Sequence, residues 1–543
     1  MTHACQHAVS LAAIILAVAV TTAPAQNVEV ETLVPGTPMH GIQGLALGPD
    51  GMLYAGAISA QTISRIDPKT GAVEVLVPAP LGEADDLAVS TDGTLAWTAI
   101  VAGELRIKRP GQAVQVLATG LTGVNPVAFR TDGRLVVGQL GPVNALFEFD
   151  IDGRRPRRLI TNDVDQLNSF EFGVRGTLFG PFWQSGRLAE IDIDSGAVRV
   201  VATSLGTPSA VSLDSKGRLV SVDYNTGEVR RTDPKDGSTT TITSLDPPLD
   251  NLAVGPDDTI YVSDTARSGI VVVDPSSGAT RRLVGGEFAT PGGLALAVLD
   301  GREVLAVADS TGYRFVDAET GAVTRPRFDF RVGASLDIAM SDSIIATTDA
   351  RLGRVQRINR RTRELLQEVR DLRNPYGVLI LAGGDLLVAE YGAGNLVRIG
   401  VNSNSIVATG LRGPVGLASL DAQTVLVTEN TSGRILRVDL RNGNTRQVAT
   451  GLMGPEGIAI IGRSDVVVAE GKTGRVLQIN LRDGRQRELA RDLPLAQSAV
   501  LTPEDVGMPT GIAASRDGSI YISCGGDNSI RRIVQINPKK VKS

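Results

Sequence analysis

The chain has 543 residues, 42% of them hydrophobic and 21% charged, with a formal net charge of −5. This is globular rather than disordered composition, and the acidic balance argues against a protein held to nucleic acid through phosphate contacts. Sixty-one glycines against 4% aromatics point to many tight turns between Val, Leu, Ile and Ala strands.

In chain order, residues 1–25 read as a secretory signal. Ala8–Val20 is an apolar core and Ala23-Pro24-Ala25 is a cleavage site before Gln26. The core is shorter than the run of about 18 apolar residues that a membrane span needs. No later stretch is long and apolar enough to span, so the expectation is a mature, secreted or periplasmic protein without a membrane anchor. Past the leader one cysteine remains, Cys524, and one histidine, His40. That excludes a disulfide framework, a Cys-based zinc site and a His-rich metal site.

Residues 28–34 (VEVETLV) form a lone strand. The segment 41–67, GIQGLALGPDGMLYAGAISAQTISRID, then holds three short apolar runs bounded by Gly, Pro, Asp and Ser, and PKTG leads into a fourth run, VEVLV. This is a four-stranded antiparallel meander. The unit recurs, and each copy is anchored on the residue before its first strand. The anchors are Gln43, Asp85, Asn125, Asn168, Ser209, Asp250, Gly292, Leu336, Tyr376, Val415, Glu456 and Thr510. A period of about 40 residues with four strands per unit is the signature of propeller blades. Twelve copies exceed one common ring of about four to eight blades.

The expected fold is therefore all-β: two tandem six-bladed β-propellers, over 26–278 and 279–538, with a basic tail at 539–543. The last copy has only three strands. The reading closes the blade begun at Asp250 with residues 28–34, and the blade begun at Thr510 with 280–286. The irregular stretch 492–509 would lie over the mouth of the second ring.

Antiparallel order brings the anchors and the loops between second and third strands to one face. In the first six copies the anchors are all oxygen-bearing, and Asp86 and Asn251 add to them. In the last six they are mixed. Carboxylate and amide oxygens at a channel mouth suit a hard cation such as Ca²⁺, which takes about six to eight oxygens. The same residue types also cap loops. Asp85, Asn125, Asn168 and Asp250 are the candidate metal ligands, and Gln43, Asp86 and Asn251 the candidate ligand contacts. Asp85 and His40 are the candidate bases. Phe182 and Trp183, expected on a loop of the same face, are candidates to wall an apolar pocket. Acids recur at the ends of second strands, from Asp223 to Glu470, and read as turn-bonding residues. The arginines of 351–373 read as a solvated outer edge.

GLALGPDGMLYAG, NLAVGPDDTIYVSD and GIAASRDGSIYIS resemble NHL repeats and the blades of the senescence-marker/gluconolactonase family. The resemblance covers nearly the whole mature chain. It implies a divalent cation, commonly Ca²⁺, held at inner-strand starts, with Asn125 and Asn168 standing for the family's asparagines and Asp250 or Asp85 for its aspartate. Gln43 stands where that family carries a glutamate. VAEGKTGRVLQI also resembles streptogramin-lyase-like propellers, which use a histidine base. The leading expectation is an exported scaffold binding a small molecule or a protein at a channel mouth. The alternative is a Ca²⁺-dependent hydrolase of lactone type in the first ring.

Overall fold

The computed structural model describes residues 28–324, 335–495 and 507–535. The signal segment 1–25, the tail 539–543 and residues 496–506 of the irregular stretch lie outside the described residues. The described chain is β throughout, apart from one short 3₁₀ turn, Thr265–Arg267. Its strands form twelve antiparallel sheets, eleven of four strands and one of three. This is a β-propeller architecture, and its sheets are numbered here in chain order of their innermost strands, from Ile42–Leu47 in the first to Ile512–Ala514 in the twelfth.

Burial explains why such sheets need neighbours. Second strands such as Leu53–Ala57, Leu95–Ala99 and Leu219–Asp223 are buried along their whole length, because sheets cover both of their faces. Outer strands such as Val73–Val77 are largely exposed. The core lies between sheets: Val220, Val222 and Val229 of the fifth pack with Leu252, Ile260 and Val262 of the sixth. Burial of each such side chain stabilises by about 1.5–3 kcal/mol.

Within the first six sheets and within the last six, the innermost strand of each lies beside that of the next. Ile42–Leu47 neighbours both Asp86–Val89 and Leu249–Val254, so the first six sheets return on themselves. Pro291–Leu299 likewise neighbours both Ile338–Met340 and Ile512–Ala514. Side-chain hydroxyls join adjacent inner strands: Thr98 Oγ1 donates to Asn125 O at 2.5 Å and Thr428 Oγ1 to Glu456 O at 2.6 Å. At the rim, arginines reach the turn of the next sheet. Arg109, Arg158, Arg199 and Arg231 donate to Ile151 O, Ile193 O, Pro234 O and Pro275 O at 2.9, 2.9, 3.2 and 3.1 Å. Arg281 donates to Pro68 O at 3.5 Å, from the sixth sheet back to the first.

The strand closure differs from the sequence reading. Val28–Val34 pairs with Ser529–Gln535 in the twelfth sheet, and Thr280–Val284 pairs with Gly269–Val273 in the sixth. The two assignments are thus exchanged. A short turn joins Gly269–Val273 to Thr280–Val284, so their pairing needs little loop-closure entropy. That completes the sixth sheet and leaves the edge of Ser529–Gln535 for the N-terminal strand. The change from sixth to seventh sheet falls between Val284 and Pro291.

After Val34 the chain runs between the two sets of sheets. Thr37 N–H donates to Asp527 O at 2.9 Å, and Asn528 Nδ2 donates to Met39 O at 2.8 Å. A Cβ on Gly36 would fall 1.7 Å from Asp527 O, so only glycine allows this approach. Gly41 N–H donates to Ser268 Oγ at 2.6 Å, and that hydroxyl donates to Ala289 O at 3.0 Å.

Two of the arginines of 351–373 are a second correction. Arg354 and Arg357 are buried. Arg354 binds Glu368, and Arg357 reaches Ile399 O of the ninth sheet at 3.4 Å. These two bridge strands and sheets, whereas Arg351, Arg361, Arg370 and Arg373 are exposed, as a solvated edge requires.

Candidate functional site

The second-strand acids do bond turns, as the sequence predicts. Asp223 accepts from Thr207, Asn225 and Thr226 N–H at 3.0, 2.9 and 2.8 Å. Glu429 and Glu470 accept from Arg412 and Met453 N–H, each at 2.9 Å. Around the axis of the first set, by contrast, the residues that follow the anchors bond to one another across sheets.

Asp86, Ser169 and Asn251 come from the second, fourth and sixth sheets and meet around the axis of the first set. Asn251 Nδ2 donates to Asp86 Oδ1 at 2.9 Å, and Ser169 Oγ lies 3.5 Å from that oxygen and 3.2 Å from Asn251 Oδ1. Leu87 and Val127 N–H also donate to the Asp86 carboxylate, at 3.0 and 3.1 Å. Burial pushes this carboxyl up to about 6, against the lowering effect of those hydrogen bonds. Asp86 and Asn251, read from sequence as ligand contacts, are thus partners across the axis. Ser169 completes the group, and sequence reasoning missed it.

Asp85 lies beside this network, buried, and accepts a hydrogen bond from Asn125 Nδ2. Its carboxyl is raised well above the usual carboxylate range by burial first, then by the charges of Asp250, Asp86 and Glu83. Asp250 is half-buried and also raised, by burial and the charge of Asp86. Two neighbouring carboxyls raised in this way hold fewer than two charges at neutral pH.

The four proposed metal ligands do not form an oxygen shell here. Asn125 presents its nitrogen to Asp85, and Asn168 Oδ1 accepts Ser169 N–H at 2.9 Å, the loop-capping role. Gln43 is half-buried at the start of the first sheet. Among the described residues no three His, Cys, Asp or Glu side chains cluster to hold a metal.

His40 is buried, and its Nε2 donates to Gly525 O of the twelfth sheet at 2.8 Å. The proposed base is thus a tie between the two sets. Phe182 is also relocated. It ends the strand Leu178–Phe182, is 4% exposed and packs with Leu167, Phe170 and Leu178. Chain alternation turns it into the core. Trp183, one residue on, is half-buried and meets Tyr224 edge-on with ring centroids 5.0 Å apart.

Tyr224 was not singled out from the sequence. Burial, then the charges of Asp250 and Asp85, push its hydroxyl up, while the charge of Arg351 from the eighth sheet opposes them. The first set's mouth therefore carries paired carboxyls beside an aromatic pair, with a cation of the second set in electrostatic reach. A tyrosine directly after a second-strand acid, as in SVDYN, was the available signal.

Fold and mouth together define a β-propeller repeat protein. Residues 225–449 match the family described as outer membrane protein assembly factor BamB. No curated protein matches. Among solved structures, the chain is similar to a streptogramin B lyase at 17% identity, covering 52% of this chain and 97% of that one, with a TM-score of 0.38. A catalytically inactive virginiamycin B lyase from Staphylococcus aureus with quinupristin aligns at 15% identity over 52% of this chain and 96% of that one, TM-score 0.38. A putative gluconolactonase aligns at 15% identity over 48% and 93%, TM-score 0.38.

Proposed function

We propose that the chain is an exported pair of six-bladed, NHL/gluconolactonase-like propellers that serves as a non-catalytic binding scaffold, its partner protein docking at the mouth of the first ring. The observation that carries this reading is the internal use of the polar groups around that mouth. Asp86 bonds Asn251, Asp85 bonds Asn125, and His40 bonds Gly525. None of these pairs sets a base against a side-chain nucleophile, the arrangement of covalent acyl transfer. Trp183 and Tyr224 supply rigid amphipathic rings of the kind enriched at protein interfaces. Ring closure is supported by the inner strands returning after the sixth sheet. A protein-binding role accords with the assembly-factor family matched over 225–449.

The test joins two measurements on the full chain. One is photo-crosslinking from a photoreactive residue at position 183 in exporting cells, in wild type and Asp250→Lys. The other is turnover on a lactone panel with and without Ca²⁺. A single protein adduct lost in Asp250→Lys, without turnover, supports the scaffold. Ca²⁺-dependent turnover abolished by Asp85→Asn supports the hydrolase instead.

A further inference from the structure

The axes of the two rings differ. The second holds an open cavity of about 300 Å³ lined by its inner strands, with a mixed polar and apolar surface to which Leu296, Met340, Ile380 and Leu417 contribute. Among the described residues, Asp337 is the sole ionisable side chain in that lining.

Asp337 is the counterpart of Asp86. Each backbone N–H lies 3.3 Å from a second-strand threonine hydroxyl, Thr98 or Thr348. Each carboxylate accepts from the next sheet's inner strand, Val127 N–H at 3.1 Å or Val378 N–H at 2.9 Å. Each also accepts from the following residue, Leu87 or Ile338. The difference lies in the side-chain donors. Asp86 has Asn251 and Ser169 across its axis. The matching positions of the second ring are Gly511 and Gly416. Gly511 N–H donates to Ser523 Oγ at 2.7 Å, as Asn251 N–H does to Ser263 Oγ at 2.8 Å. Gly416 and Ser169 each follow the anchor of their ring's fourth sheet. These glycines are held by close packing: a Cβ on Gly511 would fall 2.5 Å from Gly292 O, and one on Gly416 would fall 2.2 Å from Glu456 O. No side chain can grow from them toward Asp337.

We propose that the second ring's channel is a binding site for a primary amine with a short aliphatic body, whose ammonium N–H groups donate to Asp337 as Asn251 Nδ2 donates to Asp86. The aliphatic part lies along the channel beside Met340 and Ile380. A half-buried carboxylate gains a charge-assisted hydrogen bond from such a head group and nothing comparable from an alcohol or an acid. This inference is independent of the partner proposed for the first ring.

The probe is n-hexylamine, titrated calorimetrically into the full chain at pH 8, with 1-hexanol and hexanoate in parallel. The expected result is saturable binding of the amine alone, weakened about tenfold or more in Asp337→Asn, which removes the charge and keeps the shape. Methyl-labelled methionine spectra of the wild-type chain give a second readout. The amine is expected to shift the Met340 methyl signal, which holds whether or not the variant folds. Absence of saturable binding, equal binding of hexanol, or loss of binding in Glu456→Gln but not in Asp337→Asn each overturns the assignment.

Discussion

The same carboxyl yields a stability prediction that needs no ligand. Burial holds Asp337 at about 7 against an ordinary 3.8. Between those values the folded chain keeps a proton that the unfolded chain has released, so stability falls as pH rises and levels off above 7. Each pH unit of that gap is worth about 1.4 kcal/mol, which caps the penalty near ~4 kcal/mol. Asp337 is half-buried, and its partial exposure to solvent screens it, so about half of that, ~2 kcal/mol, is expected. Asparagine cannot ionise and keeps an oxygen for Val378 N–H. Asp337→Asn should therefore match wild type at pH 4.5 and exceed it at pH 8, by about 4–8 °C in melting temperature for a ring of this size. Scanning calorimetry at the two pH values measures the difference. A variant that melts below wild type at pH 8 would show that the folded protein stabilises the ionised carboxylate, and the reasoning would fail.

Three further outcomes follow from the fold. Fragment 286–543 lacks the strand that pairs with Ser529–Gln535, so it should melt cooperatively only when a peptide of residues 28–34 is added. Equal melts with and without peptide would refute the closure. His40→Ala should cost about 1–3 kcal/mol at pH 8 by orphaning the Gly525 carbonyl. Burial lowers the His40 imidazole below 6.5, so the unfolded chain takes up its proton first. The wild-type advantage should then shrink as pH falls through 6.5, and a pH-independent difference would contradict this. Chelator should leave the melting temperature unchanged, because the amides of Asn125 and Asn168 are already engaged. A drop that Asp250→Ala abolishes would place a cation at the first mouth, where a bound ion at a hundredfold excess over Kd adds about 2.7 kcal/mol.

What the sequence determined by itself was local. Alternating apolar runs and turns such as Asp67–Gly71, where Asp67 Oδ1 accepts Lys69 N–H at 2.7 Å, specify strands and hairpins from residues close in the chain. The repeat spacing then counts the sheets, and the second-strand acids announce their turn contacts. Tertiary structure decided whatever depends on partners far apart in sequence. Either end strand satisfied the tally of spare and missing edges, and only the short hairpin to Thr280–Val284 determined which edge Val28–Val34 completes. A polar residue at an inner-strand start looks the same in sequence whether it faces a ligand or another blade. Asp86 and Asn251, 165 positions apart, are partners, whereas Asp337, with the same local pattern, faces glycines. That contrast arises from which strands the ring brings across its axis, and no local rule encodes it.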